Sequence, residues 1–171
     1  MKTRKKLILL LCALVLATGG YFCIRRPEGK APVQESAGVF ELTDRTLDDL
    51  TGISWTADGK TRTFRRQDGQ WKAAEDSAAE SGDPEAAGAL AEQLVNLQAT
   101  RRIENVDNLE EYGLTDPAVV VTAEWKSGST VYSMGESTPF GDGYYLSLSG
   151  GGQTIYTIAS PLAAYDTAEN R

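Results

Sequence analysis

The sequence predicts an α+β fold: two antiparallel β-meanders with a central helix and short capping helices on one face, behind an N-terminal transmembrane helix. Three observations carry that expectation. Asp58-Gly59 and Asp68-Gly69 each separate runs of strand-forming residues, and Asp-Gly between such runs is a strong hairpin signal. One apolar stripe at helical spacing, from Ala86 to Leu97, lies between the strand-rich halves. The run from Leu7 to Ile24 is almost unbroken in its apolar character and follows Lys2, Arg4, Lys5 and Lys6.

As a helix, the 18 residues of that run reach about 27 Å, enough for a bilayer core of about 30 Å. A signal-peptide reading also fits, with Leu7 to Leu16 as the apolar stretch and Ala17 and Gly19 as the small residues for cleavage. Apolar character continues through Tyr21, Phe22 and Ile24, which favours a retained anchor held in the lipid bilayer. Four basic residues precede the run and Arg25 and Arg26 follow it, so the N-terminus is expected in the cytoplasm and the C-terminal domain outside the cell membrane. Both cysteines, Cys12 and Cys23, lie inside the run, and neither has the small residues before it that a lipidated cysteine requires.

All 24 acidic residues lie beyond Arg26 against 11 basic ones there, leaving that part with a formal charge near −13. Such a surface repels phosphate backbones, so no nucleic-acid partner is expected. Solubility is the simpler role for the charge. The resulting organisation is an anchor or signal over residues 1–24, a flexible tether over 25–38 and a single extracytoplasmic α+β domain over 39–171. Pro27, Gly29, Pro32 and Glu28 give the tether its composition.

Within the domain, Ile53 and Trp55 alternate with polar neighbours. Thr61 to Arg66 returns after the first Asp-Gly turn, and Trp71 marks a third strand after the second. Asp83-Pro84 opens the helix, the aspartate as a cap and the proline at the first helical position. Ala86, Ala87, Leu90, Leu94 and Leu97 are expected to pack it on a sheet. A short strand follows over Thr100 to Ile103. Asp107 with Glu110 has the form of a capping box, and Gly113 stands where a short helix would end in a left-handed residue. Val119, Val121, Ala123 and Trp125 begin the second meander, which continues through Val131 to Met134, Tyr144 to Leu148 and Thr154 to Ile158. Ser160-Pro161 is expected to cap a last short helix through Leu162 and Tyr165.

The order of these elements resembles a bacterial family, domain of unknown function 4340. The resemblance rests on Gly69-Gln70-Trp71, on Glu111-Tyr112-Gly113-Leu114-Thr115-Asp116-Pro117-Ala118, and on Gly135-Glu136-Ser137-Thr138-Pro139 before Gly143-Tyr144-Tyr145. It covers about residues 39–166. Its most specific part is the Tyr-Gly-Leu-x-x-Pro segment followed by the Gly-x-x-Thr-Pro loop. The resemblance implies a membrane-anchored protein, sometimes encoded beside ABC-type transporter genes, including those linked to gliding motility. It supplies no catalytic residue.

The chain has no histidine, which removes Ser-His-Asp and Cys-His catalysis and the usual Cys/His zinc sites. Gly150 to Gly152 lead into a strand pattern rather than a helix, so they form a hairpin turn and not a phosphate cradle. Gly141-Asp142-Gly143 near Glu136 lacks the regular oxygen spacing of a calcium loop. Asp44, Asp48 and Asp49 read as a turn with capping aspartates. No catalytic residue, metal site or cofactor is therefore expected. Aromatic residues beside the Gly- and Pro-containing loop are the stronger candidates for recognition. Alternation buries Tyr144 with Leu146, leaving Phe140 and Tyr145 as the candidate partner or ligand surface.

The expected function is that of a non-enzymatic accessory or interaction module, with a membrane protein or transporter of the cell envelope as partner. Glycan or small-ligand binding through the Phe140 and Tyr145 loop is the alternative. A carboxylate-dependent hydrolase, which needs only two suitably spaced acids, stands behind both.

Overall fold

Alternating side chains and two tight turns build the first three-stranded unit of the fold. Asp58 and Gly59 have φ of 51° and 71°, and Asp68 and Gly69 have 52° and 79°. Positive φ at both central residues defines the type I′ turn, whose twist matches that of paired strands. The computed structural model describes residues 31–74 and 83–162. Their strands are β1 (Gln34–Glu41), β2 (Leu50–Ala57), β3 (Lys60–Gln67), β4 (Gln70–Ala73), β5 (Gln98–Glu104), β6 (Val119–Trp125), β7 (Gly128–Ser137), β8 (Tyr144–Leu148) and β9 (Ile155–Ile158). One α-helix, α1 (Pro84–Val95), lies between β4 and β5. The Asp83 carboxylate caps it, accepting the Glu85 N–H at 2.9 Å.

This arrangement corrects the expected fold class. The strands form one nine-stranded sheet in the order β1-β5-β9-β8-β7-β6-β2-β3-β4, with every pairing antiparallel. The two expected meanders are fused because β2 pairs with β6 from Leu50↔Trp125 to Ala57↔Val119. Local patterning specifies hairpins, but it carries no information about pairing between segments so far apart in sequence. The short helix expected after Asp107 is a single 3₁₀ turn, Glu110–Tyr112, and the turn expected at Asp44 to Asp49 contains another, Leu47–Asp49. Asp107 does not cap the former; its carboxylate accepts from Gln153 at 2.8 Å, while the Asn108 side chain accepts the Glu110 N–H at 3.1 Å. Residues 159–162 are not helical, and the rest of the expected last helix lies outside the described residues. The run from Leu7 to Ile24 also lies outside them; among the described residues no helix is long and apolar enough to cross a membrane. β1 takes in residues 34–38, the end of the segment read as tether. An edge strand with almost no buried face needs no hydrophobic alternation, so its side chains do not announce it.

The main core lies on the face covered by α1. Register places Ile53 beside Ala123, Val121 beside Tyr132, and Met134 beside Leu146. Leu90, Ala91 and Leu94 of α1 pack against this layer, with Trp55, Trp71 and Tyr144 at its margin. The connection from β1 to β2 shows that the sheet is coiled. Five strands stand between β1 and β2, so a flat sheet would separate them by about 29 Å. The nine steps from Glu41 to Leu50, three of them wound into the 3₁₀ turn, reach only about 26 Å. Coiling shortens the path, and the connection stays close to the sheet: Arg45 lies 5.1 Å from the Trp125 ring centroid and bonds Thr130 Oγ1 at 3.2 Å.

A smaller core occupies the opposite face. Ile103 and Ile155 pair across β5 and β9, and Val106 and Leu114 cover them. The covering segment is seated by two glycines. Gly113 adopts φ 65°, and a Cβ there would stand 2.8 Å from the Glu136 backbone nitrogen. A Cβ on Gly135 would stand 2.1 Å from the Tyr112 carbonyl oxygen, which is inside any allowed contact. The Tyr-Gly-Leu segment and the start of the Gly-x-x-Thr-Pro loop are thus two halves of one interlock. Gly135→Ala is expected to lower stability by about 1–3 kcal/mol, the usual cost of overpacking. Gly38→Ala, which meets only the Phe40 ring at an ordinary 3.5 Å, should change it by less than about 0.5 kcal/mol. Urea-unfolding midpoints of the two variants test this, and equal midpoints would disprove the interlock.

Candidate functional site

The loop from β7 to β8 is folded by its own side chains. Pro139 follows Thr138 in a turn closed by the Gly141 N–H on the Thr138 carbonyl at 2.9 Å, the position proline prefers in such turns. The Thr138 N–H bonds the Gly143 carbonyl at 2.8 Å. Thr138 is buried; its hydroxyl accepts the Asp142 N–H at 3.1 Å and donates to the Asp142 carboxylate. The other carboxylate oxygen takes a 2.5 Å bond from Arg101 of β5. The same guanidinium reaches Glu35 of β1 at 3.5 Å. Arg101 therefore joins the edge strand to the loop.

Phe140 occupies the tip of this loop with 86% of its surface exposed. No other described large apolar side chain is as exposed; Val39 follows at 75%. Tyr145 is half-buried and meets Tyr112 edge-on, with ring centroids 4.9 Å apart and planes at 85°. This geometry suits the ring quadrupoles. Register places Tyr145 beside Thr157 and Thr157 beside Arg101, so Tyr145 and Arg101 stand on one face. The structure thus brings the Phe140 loop and Tyr145 into one region, but it makes Tyr145 part of a tyrosine pair rather than a free ring. Tyr144 points the other way, against the main core.

Several residues of the region escaped sequence reasoning. Arg101 and Asp142 are 41 positions apart, and nothing local links them. Tyr112 and Gly135 carried a signal, since both belong to the segments on which the family resemblance rests. Among the described residues no three acidic side chains converge as a cation site would need. Asp49 of the other acidic group accepts the Thr46 hydroxyl at 2.8 Å and caps the turn.

Two shallow clefts lie elsewhere. One of about 290 Å³ is lined by Asp48, Leu50, Thr51, Arg66, Gly69 and Lys126. The other, about 340 Å³, is lined by Glu41, Thr43, Val95, Asn96, Leu97 and Gln98. In the first, Arg66 is taken by the Leu47 carbonyl and Asp48. Neither pairs a nucleophile with a base.

Electrostatics follow from these contacts. The Thr138 hydroxyl, helped by Arg101, holds the Asp142 carboxyl below the ordinary 3.8. Burial pushes the Tyr112 and Tyr145 phenols above 10; Glu111 adds to the shift at Tyr112, and Glu35 at Tyr145. A lowered carboxyl contributes stability above its unfolded value, and that contribution is lost as pH falls through its folded one. Asp142→Asn should therefore flatten part of the acid limb of the stability profile below about pH 4, measured as urea midpoint against pH; an unchanged limb would refute the assignment. Raised phenols contribute in the opposite sense, fully below about pH 10 and less as pH rises further. Absorbance titration at alkaline pH should show late-ionising tyrosines, and Tyr145→Phe should remove part of that late fraction. Loss of only an early-ionising fraction would contradict the burial.

A family model described as "Domain of unknown function (DUF4340)" matches residues 71–170. No curated protein and no solved structure matches the chain. The matched span takes in β4, α1 and β5 to β9, hence the tyrosine pair, both interlocking glycines, Arg101 and the Phe140 loop. It leaves out β1, β2 and β3, so Glu35 is the one partner in this region that falls beyond it. With more than half of its length matched, and the interlocked segments inside the match, the chain belongs to the DUF4340 family.

Proposed function

We propose that this protein is a non-enzymatic accessory module of the cell envelope, anchored through Leu7 to Ile24, that docks a membrane or transporter protein through the Phe140 loop. The single observation behind the docking surface is the 86% exposed Phe140 ring on a loop braced by Thr138, Asp142 and Arg101. A large ring held in water on a braced loop gives up its hydration on binding and loses little conformational freedom. Aromatic side chains in that situation are frequent anchors of protein interfaces. The apolar run and the acidic composition after it support a place outside the membrane. Asp142, held below the ordinary carboxylate range by Thr138 and Arg101, is unsuited to the general-acid role in a hydrolase.

Purification of the full chain from detergent-solubilised membranes tests the proposal. A partner should co-purify in fixed proportion, and Phe140→Ser should lose it without lowering the melting temperature. Recovery as a monomer only, with cell-wall fragments raising the melting temperature, would overturn the proposal in favour of glycan binding.

A further inference from the structure

The surface shared by the Phe140 loop and the Tyr112–Tyr145 pair is acidic in a way that the strand order produces. Asp142 lies two residues from the ring, and Glu35 and Asp142 flank the Arg101 guanidinium at 3.5 and 2.5 Å. Glu136 lies against Gly113, whose added Cβ would stand 2.5 Å from Glu136 Cγ. Glu111 adjoins Tyr112. Glu111 and Glu136 are both exposed. Arg101 offsets one of these four carboxylates, and the remainder is net negative. Of the described lysines, Lys60 and Lys72 lie on β3 and β4, which do not pair with β1, β5, β9 or β8, and Lys126 lies in the turn before β7, at the end of that strand remote from Glu136. Burial first, then Glu111 and Glu35 respectively, push the Tyr112 and Tyr145 phenols up, with Arg101 opposing the shift at Tyr145.

An aromatic knob on an acidic surface has a complementary counterpart. We infer that the partner is a protein presenting an apolar pocket rimmed by lysine and arginine, which seats Phe140 and pairs with Glu35, Glu111 and Glu136. This rests on the docking reading above and adds the chemistry of the partner. The ring supplies the buried contact, and the carboxylates supply orientation and a fast, salt-dependent encounter. An anionic lipid surface would be repelled by the same carboxylates, and an apolar pocket without basic residues would leave them desolvated and unpaired.

The test places a photo-crosslinking residue, p-benzoylphenylalanine, at position 140 of the full chain in native membranes. A protein adduct is expected, with its crosslinked peptide flanked by lysine and arginine. Raising salt from about 50 to about 500 mM, which shortens the screening length several-fold, should lower the adduct yield on the order of ten-fold. Glu111→Lys with Glu136→Lys should do the same. Because Glu136 touches Gly113, Glu111→Lys alone is the second variant, and both are compared with the parent by melting temperature. Reversal of one basic residue in the partner's rim should restore the yield for Glu111→Lys. An adduct indifferent to salt and to both variants, or one formed with lipid or a second copy of this chain, would overturn the basic pocket and leave a docking surface of another kind. No adduct would overturn the docking reading itself.

Discussion

The ladder between β2 and β6 is the constraint on which the rest of the structure depends. It is the one seam joining β2, β3 and β4 to the other six strands. Across it, Ile53 meets Ala123 and Trp55 meets Val121, which makes two modest apolar surfaces into one large enough for a helix to cover. α1 closes that surface with Leu90, Ala91 and Leu94. Without the seam, a three-stranded meander with a four-residue last strand would have little core of its own. The seam is also costly to form. Its partners lie some 70 positions apart, and pairing across such a separation requires the closure of a long loop before any contact is gained.

That cost explains which parts of the fold were legible in the sequence. Asp58-Gly59 and Asp68-Gly69 act on their immediate neighbours, and the hairpins they announce are present. Asp83-Pro84 and the stripe from Ala86 to Leu94 likewise define α1 from local chemistry. The seam and the placement of β1 beside β5 depend on distant partners, so two meanders were expected where one sheet exists. The 3₁₀ turn before Gly113 shows a finer limit. Asp107 and Asn108 are both competent to cap; in the fold Asn108 accepts the Glu110 N–H, while Asp107 accepts from Gln153 of the turn between β8 and β9, a partner no local pattern announces.

The candidate surface divides in the same manner. Phe140 and Tyr145 stood out because an aromatic residue beside Gly and Pro is a local signal. Tyr112, Arg101 and Glu35 come to them from other strands and segments. Their joint placement rests on the interlock of Gly113 with Gly135, which fixes the Tyr112 segment on the sheet. The matched family span holds that interlock together with the Phe140 loop, so the segments that carry the family likeness are the ones that build this surface.

β1 gives the molecule a mechanical axis. It is an edge strand whose side chains are exposed except for the partly buried Phe40, and its backbone ladder runs to β5 alone. Tension applied at Val33 would enter the domain through this ladder. The strand and its neighbour are antiparallel, so a pull along β1 loads its hydrogen bonds together, whereas a pull away from the sheet opens them one after another. Glu35 stands near the loaded end and shares Arg101 with Asp142. Separation of β1 from β5 would part Glu35 from Arg101 and leave Arg101 with Asp142 of the Phe140 loop. The edge of the sheet and the loop that bears the most exposed ring among the described residues thus share one guanidinium.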